Sequence, residues 1–534
     1  MRYLALLTIG IFGWTIGCTT TAEPRDQAQD SQGHMEGMDE MDHDRGEHAH
    51  GEVDFPTSCS DEAQESIEAG LGHLHHMMYA QARPHFQEAA QVDDECAMAH
   101  WGIAMTAFQP LWAPSSEEDM ATGKEAVETA LRIGAPTERE QAYIAAVDAY
   151  FSDPDPPAKD RPADNQARIK AWKSAQREVH QAYPDDVDAA AFYALGEVAY
   201  AMTLFSPDEE RDYTREILAG ELLEDYFEHH PEHPGLFHYL IHAYDSTELA
   251  PRGLEVARQY DQLAPNVPHA LHMPSHIFVR LGLWEETIDW NIRSAQAAKD
   301  QPLNGAHSMH YPHALDYMMY GYLQLGDEER AQETLEAILE IEQAQHHFAA
   351  AYGIAAPQAR YHLERHQWEE AAQLQSRNPA AVDWDEFPAA DALFHYARGI
   401  GAARSGDLEQ AQSEADRIDE LVQTLREQGD NYWASMTDAL SQAVNAWITY
   451  ERGDTEEALS QIRDAADLEE AMDKHPITPG EVFPVRELHA EMLLLEGLAD
   501  EAKVAFEHSL ERTPNRRNAI AGVERADEAV ASDE

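Results

Sequence analysis

A short spacing recurs along the second half of the chain and constrains its fold more than any other feature. A glycine is followed five residues later by an alanine, with a bulky or charged turn between them. The copies are Gly326–Ala331, Gly406–Ala411, Gly453–Ala458 and Gly497–Ala502, while His366–Ala371 keeps the spacing and Gly282–Thr287 keeps the glycine. From Gly326 onward, successive copies begin 40 to 47 residues apart. Glycine relieves a tight turn between helices, and a small residue lets two antiparallel helices cross closely.

The best-preserved copy is GLADEAKVAFEHSLERTPN, residues 497–515. Ala502, Phe506 and Pro514 occupy the small, aromatic and terminating positions of a tetratricopeptide repeat. Near the start of the chain, the same template fits Gly70, Tyr79, Ala82, Phe86 and Ala89. From Cys59 onward the sequence reads as amphipathic helices with short Gly or Pro breaks. We therefore predict an all-α fold, a tetratricopeptide-type solenoid of antiparallel helix pairs, with N-terminal repeats over 55–270 continuing into repeats over 271–534.

Several longer stretches resemble a family of exported bacterial tetratricopeptide-repeat proteins. They are DDECAMAHWGIAM (93–105), HPGLFHYLIHAYD (233–245), APNVPHALHMPSHIFVRLGLW (264–284), HALDYMMYGYLQLG (313–326) and ITPGEVFPVRELHAEMLLLEG (477–497). The resemblance covers nearly everything after residue 58. It implies the repeat fold and export, but the family has no established activity.

The N-terminus, MRYLALLTIGIFGWTIGCTTT, is typical of an export signal, because its apolar run is too short for a comfortable membrane span. Its Thr-Ile-Gly-Cys ending resembles a bacterial lipoprotein signal, so we predict that residues 1–18 are a signal and that Cys18 is lipidated. Thr19 favours an outer-membrane lipoprotein, facing the periplasm or the cell surface. Ordinary cleavage to a soluble protein is the alternative. In that oxidising compartment Cys59 and Cys96 are expected to form a disulfide, with two buried thiols as the alternative.

Residues 19–54 have no apolar periodicity and are predicted to form a disordered tether. The stretch HMEGMDEMDHDRGEHAHGE, residues 34–52, is rich in metal ligands. Thioethers suit Cu(I), whereas imidazoles suit Cu(II), Ni or Zn. The predicted metal-binding side chains of this tail are His34, Met35, Met38, Met41, His43, His48 and His50. Tails of this composition also bind metal without having that as their function.

The charge balance excludes two classes of partner. With 100 acidic and 37 basic residues, the formal net charge is −63. Such a field repels nucleic acid and anionic lipid headgroups, so we expect no nucleic-acid partner and contact with a membrane through the lipid anchor only. Solubility accounts for most of these charges.

Histidines are concentrated in three neighbouring segments of the middle of the chain. The candidate metal ligands are His238, His242, Asp245, His269, His272, His276, His313 and Asp316. Residues four apart on a helix project from one face, and stacked repeats would bring the segments together around a zinc or copper ion. Either aspartate would ligate the ion or orient an imidazole. The alternative is packing, with the histidines bonding to the backbone that Pro274 frees from the helix.

Three functions follow from this pattern. The first is a scaffold that binds a protein or peptide in its concave groove. The second is a copper- or zinc-handling protein, and the third is a metal-dependent hydrolase with an open coordination position. A binding role is favoured over catalysis, since Ser275 beside His276 lacks a glycine-framed elbow and is predicted to be a helix N-cap. Other histidines are interpreted as lying on solvated faces, namely His73, His75, His76, His346 and His347.

Overall fold

The computed structural model describes residues 50–112, 114–152, 161–206 and 211–533. The described residues form one compact unit. The predicted signal, with Cys18, lies outside the described residues. So do the predicted tail ligands other than His50, which are His34, Met35, Met38, Met41, His43 and His48.

The described residues fold into α-helices joined by short turns, and within them the only β-structure is isolated bridges. The first twelve helices are α1 (Asp61–His75), α2 (Tyr79–Val92), α3 (Ala97–Ala107), α4 (Glu117–Ile133), α5 (Glu138–Phe151), α6 (Arg161–Ala182), α7 (Val187–Met202), α8 (Thr214–Phe227), α9 (Pro234–Ala243), α10 (Ala250–Ala257), α11 (Pro268–His272) and α12 (Pro274–Arg280). None of the described helices is both long and apolar enough to cross a membrane.

The second half continues the same architecture. Its helices are α13 (Trp284–Lys299), α14 (His310–Leu325), α15 (Glu328–Leu339), α16 (Phe348–Leu363), α17 (Trp368–Ala372), α18 (Pro388–Ser405), α19 (Leu408–Gln428), α20 (Asn431–Glu451), α21 (Thr455–Ala471), α22 (Val485–Leu495), α23 (Ala499–Arg512) and α24 (Arg517–Asp533). Short 3-10 turns cover Tyr260–Gln262 and Trp384–Glu386. Each helix packs mainly on its neighbours in the chain, so the predicted all-α helical-repeat fold is confirmed.

The recurring glycines form the turns that link paired helices. Gly326 and Gly406 end α14 and α18 with φ of 72° and 86°, in the left-handed region that glycine adopts without steric cost. His366, which replaces the glycine in one copy, adopts the same backbone conformation with φ of 54°. The alanine five residues later is fully buried in each copy, as at Ala331 and Ala411. The spacing therefore marks a turn followed by a close helix contact.

Two large hydrophobic clusters make up most of the core. The first extends along the chain from Phe55 to Trp290, and the second from Ala295 to Met492. Along the sequence, the change from the first cluster to the second falls about twenty residues after the predicted domain boundary at residue 270. The histidine-rich segment lies on both sides of this change. The C-terminal repeats also return to the middle of the chain, where the indole nitrogen of Trp284 donates to the carbonyl of Asn515 at 3.0 Å.

The N-terminal end of the described body is packed, including residues that were predicted to belong to the tether. The amide of Glu52 donates to the carbonyl of Glu232 at 2.9 Å, and Phe55 is fully buried. These contacts place residues 50–54 on the folded body and not in a disordered tail. A disulfide joins Cys59 to Cys96 and links the segments that precede α1 and α3.

Candidate metal centre

Four helices carry the central histidines. His238 and His242 lie on α9, and His313 lies on α14. Between them, Pro274 separates α11 from α12, as predicted, because proline cannot donate the helical hydrogen bond. The predicted N-cap at Ser275 is wrong: its hydroxyl donates to the carbonyl of His272 at 2.5 Å, which satisfies the acceptor that the break exposes.

The first cluster, site 1, consists of His238, His242 and His269. One ring nitrogen from each lies within 4.8 Å of the others. The Nε2 atoms of His238 and His242 are 3.2 Å apart. Nδ1 of His238 donates to the carbonyl of His75 at 2.6 Å, so its Nε2 carries the free lone pair. Both ring nitrogens of His269 are buried without a hydrogen-bond partner.

The second cluster, site 2, consists of His272, His276 and His313, all buried and within the same 4.8 Å limit. Nε2 of His272 and Nε2 of His276 are 3.0 Å apart. Nδ1 of His272 donates to Oδ1 of Asn291 at 2.7 Å. The Asn291 amide nitrogen donates to the carbonyl of Thr287, which assigns its oxygen to the histidine.

The position of the proton on the His276 ring is fixed in the same way. Nδ1 of His276 donates to Oδ2 of Asp245 at 2.9 Å. Both facing Nε2 atoms are therefore unprotonated, and their lone pairs lie close together. Such an arrangement is repulsive unless a cation lies between the two nitrogens.

Electrostatics keep these imidazoles neutral. Burial lowers the pKa of His242 to about 3, with a further contribution from the charge of His276. Burial, followed by the neighbouring histidines, places the pKa values of His272 and His313 well below the usual range. Burial also lowers the pKa of His276, against the opposing effect of Asp245. A proton shared between these rings is therefore unfavourable at neutral pH, whereas the neutral form is the one that ligates metals.

The two predicted aspartates have different roles. Asp245 orients His276 and is itself bound by Arg280 at 2.9 Å and approached by Lys474 at 3.5 Å. Burial alone would raise the pKa of Asp245, but these cations hold it well below its usual range. Asp316 belongs to neither site: it pairs with Arg360 at 3.4 Å, and burial raises its pKa to about 6. The structure does not group Asp316 with the imidazoles, since its Oδ1 meets Arg360 and its Oδ2 is buried without a partner.

The sequence predicted one site, whereas the structure separates its histidines into two adjacent ones. The ring centroids of His242 and His276 are 5.7 Å apart, and those of His269 and His272 are 6.0 Å apart. His310, which the sequence analysis missed, extends the row, with its ring 5.2 Å from that of His269. We call the seven residues the imidazole array: His238, His242, His269, His272, His276, His310 and His313.

A third cluster was also missed. His75 and His233 both direct Nε2 at the same oxygen of Asp188, at 2.8 Å and 3.3 Å. The assignment of His75 and His76 to a solvated face is wrong, since both are fully buried. Because one nitrogen of each ring already bonds to the carboxylate, we interpret this cluster as a hydrogen-bonded triad, in which Nδ1 of His233 and Oδ2 of Asp188 have no partner. Identifying this cluster requires knowing that His75 and Asp188, which are far apart in the sequence, are close in space. The sequence alone does not show this.

Comparisons with known proteins add little to this geometry. No family model and no curated protein matches the chain. Among solved structures, the Cut9–Hcn1 hetero-tetramer of the APC/C is 13% identical, with 90% of this chain and 79% of that chain covered and a TM-score of 0.36. Yeast Tom70 is 13% identical, with 88% and 96% covered and a TM-score of 0.37. The TPR domain of P58(IPK) is 12% identical, with 88% and 99% covered and a TM-score of 0.21. At these values the likeness carries no weight for function.

Proposed function

We propose that this protein binds transition-metal ions at site 1 and site 2, inside its helical repeat. The observation that carries the proposal is the 3.0 Å separation of Nε2 of His272 and Nε2 of His276, with both Nδ1 protons bound elsewhere. Two nitrogen ligands about 2.0–2.1 Å from one tetrahedral ion lie about 3.3 Å apart. The observed spacing is slightly shorter than this, so a small outward movement of the rings would admit an ion, which would turn their repulsion into binding.

Unpartnered nitrogens favour ligation over packing. Histidines in a protein core normally bond through their polar atoms, because a buried unsatisfied group costs about 1–3 kcal/mol. Both nitrogens of His269 and Nδ1 of His313 have no partner. Several unpartnered nitrogens therefore lie in one array of neutral imidazoles. Helix packing does not explain them, whereas metal ligation does.

Metal binding is favoured over hydrolysis. Three histidines with an open fourth position also describe a catalytic zinc site. Asp245, however, is bound by His276, Arg280 and Lys474, and Asp316 is paired with Arg360. Asp245 is thus engaged by three partners, and Asp316, although its Oδ2 has no partner, belongs to neither site and is not placed to activate water on an ion there.

We further propose the cell envelope as the location, with Cys18 as the lipid anchor. The Cys59–Cys96 disulfide supports an oxidising compartment. Helical repeats present extended surfaces that suit protein partners, which supports a protein or peptide ligand for the scaffold. These features are compatible with a tethered protein that holds metal.

Elemental analysis of the purified full chain tests metal binding. The tail ligands His34, Met35, Met38, Met41, His43 and His48 are replaced by alanine, so that only the body contributes. After incubation with Zn²⁺, or with Cu(I) under anaerobic conditions, we expect about two ions per chain, one for each three-ligand site. His272→Gln/His276→Gln should lose about one of them, whereas His346→Gln, at an exposed position, should lose none. A folded protein that stays empty with both metals would overturn the proposal.

A further inference from the structure

A cavity of about 330 Å³ lies beside the imidazole array. Its wall includes three methionines, Met77, Met78 and Met309, together with His310. The exposed residues Ala80, Pro84 and Gln87 also line it, so the cavity opens to solvent. It therefore connects the outside of the protein to one member of the array.

The methionines give this cavity a definite chemical preference. Met77 and Met78 are each 1% exposed and Met309 is 5% exposed, so their thioethers are held in place and sheltered. Thioether sulfur is a soft ligand that selects Cu(I) over the harder divalent ions. The cation on this wall, Arg83, is neutralised by Asp119 at 3.3 Å and would not repel an incoming ion.

Short steps lead from the cavity to the sites. His310 lines the cavity, its Nδ1 is buried without a partner, and its ring lies 5.2 Å from that of His269 in site 1. His269 in turn lies 5.0 Å from His238 and 6.0 Å from His272, measured between ring centroids. Trp112 packs beside these rings: its ring contacts those of His269 and His310, and its Nε1 donates to Sδ of Met77 at 3.3 Å.

The charge of the array is compatible with a monovalent ion. Its ligands are neutral imidazoles, and the nearest carboxylate, Asp245, is already neutralised by Arg280 and Lys474. The cost of burying an ion rises with the square of its charge, so a singly charged ion is buried more cheaply in an uncharged site than a doubly charged one. The thioether wall therefore selects Cu(I), and the array accepts it.

We propose that the cavity lined by Met77, Met78, Met309 and His310 is the entry through which Cu(I) reaches sites 1 and 2. This inference rests on the proposed metal binding and names the ion, its oxidation state and its route. The methionines capture the ion at the entry, and His310 passes it to His269. The imidazoles of the two sites then hold it in a dry, neutral interior.

The test measures uptake rate and final occupancy separately. The tail-substituted full chain is mixed anaerobically with Cu(I) bound to bicinchoninate, and loss of the chelator's colour is followed in time. Met77→Leu/Met78→Leu/Met309→Leu removes the thioethers at similar volume, and Met98→Leu, a buried methionine on α3 that does not line the cavity, is the matched control. We expect the triple variant to load at least about tenfold more slowly, with the same final copper content, and the control to load normally.

Each outcome separates the two proposals. An unchanged rate in the triple variant overturns the entry route while leaving metal binding intact. No copper in the parent chain, with zinc still bound at both sites, overturns the assignment of Cu(I) alone. Absence of both metals overturns metal binding itself. If circular dichroism shows that the triple variant is unfolded, Met78→Leu and Met309→Leu are measured singly, and normal rates in both overturn the route.

Discussion

Asp245 accepts a hydrogen bond of 2.9 Å from Nδ1 of His276, which directs Nε2 of the same ring at His272. The same carboxylate is held by Arg280 and Lys474, which come from different parts of the chain. Lys474 belongs to the segment between α21 and α22, so the C-terminal repeats help to set the orientation of a histidine in the middle of the chain. Site 2 is thus positioned by contacts that are distant in sequence.

Asp245→Asn should weaken metal binding at site 2. The substitution removes the charge that fixes the imidazole tautomer, and loss of such an outer partner typically lowers metal affinity by about 10–100-fold. Asp316→Asn is the matched control, because it removes another fully buried carboxylate that pairs with an arginine but contacts no histidine of the array. Competition titration with a chromophoric chelator measures both. Equal affinities in the two variants would contradict the role given to Asp245.

Metal should stabilise the folded protein. An ion that binds only the folded state adds about 2.7 kcal/mol to the free energy of unfolding at one hundred times its dissociation constant. Urea unfolding with and without Zn²⁺ or Cu(I) measures this, and a chelator should reverse it. The gain should be smaller in His272→Gln/His276→Gln. The same gain in that variant would mean that the ion binds elsewhere.

The metal-free protein should lose stability as the pH falls below about 6.5. Burial lowers the pKa of His310 to about 3, with a further contribution from His347, so the folded state excludes a proton that the unfolded state binds. Between pH 6.5 and about pH 3 the unfolded state therefore binds more protons than the folded state. Each such histidine lowers the free energy of unfolding by about 1.4 kcal/mol for every unit by which the pH falls in this range. Urea unfolding at pH 7 and pH 5.5 tests this. His310→Phe should show a shallower loss, and an identical pH dependence would contradict the assignment.

Removal of the disulfide should destabilise the N-terminal repeats. Cys59 and Cys96 are 37 residues apart, and opening a loop of this size costs about 3–4 kcal/mol in the chain-entropy model. Cys59→Ser/Cys96→Ser should therefore unfold at lower urea concentration than the parent. In the parent chain, Sγ of Cys96 accepts a hydrogen bond from the amide of Ala99, and a serine hydroxyl at this position can accept the same bond. Dithiothreitol should lower the midpoint of the parent but not of the variant; sensitivity of both would point to another cause.

Local sequence patterns predicted the parts of the site that lie within single helices. The four-residue spacing of His238 and His242 predicted that their imidazoles share one face of a helix, and the structure contains this pair. Pro274 predicted the helix break that separates α11 from α12. Both features depend on local backbone geometry, which sequence specifies, whereas the approach of His272 to His276 across the break at Pro274 does not follow from a regular helix.

Contacts between distant segments could not be read in the same way. The spacing of Asp316 from His313 was suitable for an orienting carboxylate, but Arg360, 44 residues away, takes its charge. His75 meets Asp188 across 113 residues of sequence, so neither residue alone indicates the contact. His310 lies one helical turn from His313, yet only the packing of α14 places it beside His269. Which buried partner a polar side chain meets depends on how the helix pairs stack.

The histidines of the array come from α9, α11, α12 and α14, on both sides of the junction between the two large hydrophobic clusters. In a helical repeat each unit touches mainly its neighbours, so segments of such a protein are able to open independently. Ions shared by these helices would join the two halves into one cooperative unfolding unit. Without the ions, the two halves would unfold independently. Whether the halves unfold in one transition or in two would therefore indicate whether metal is bound.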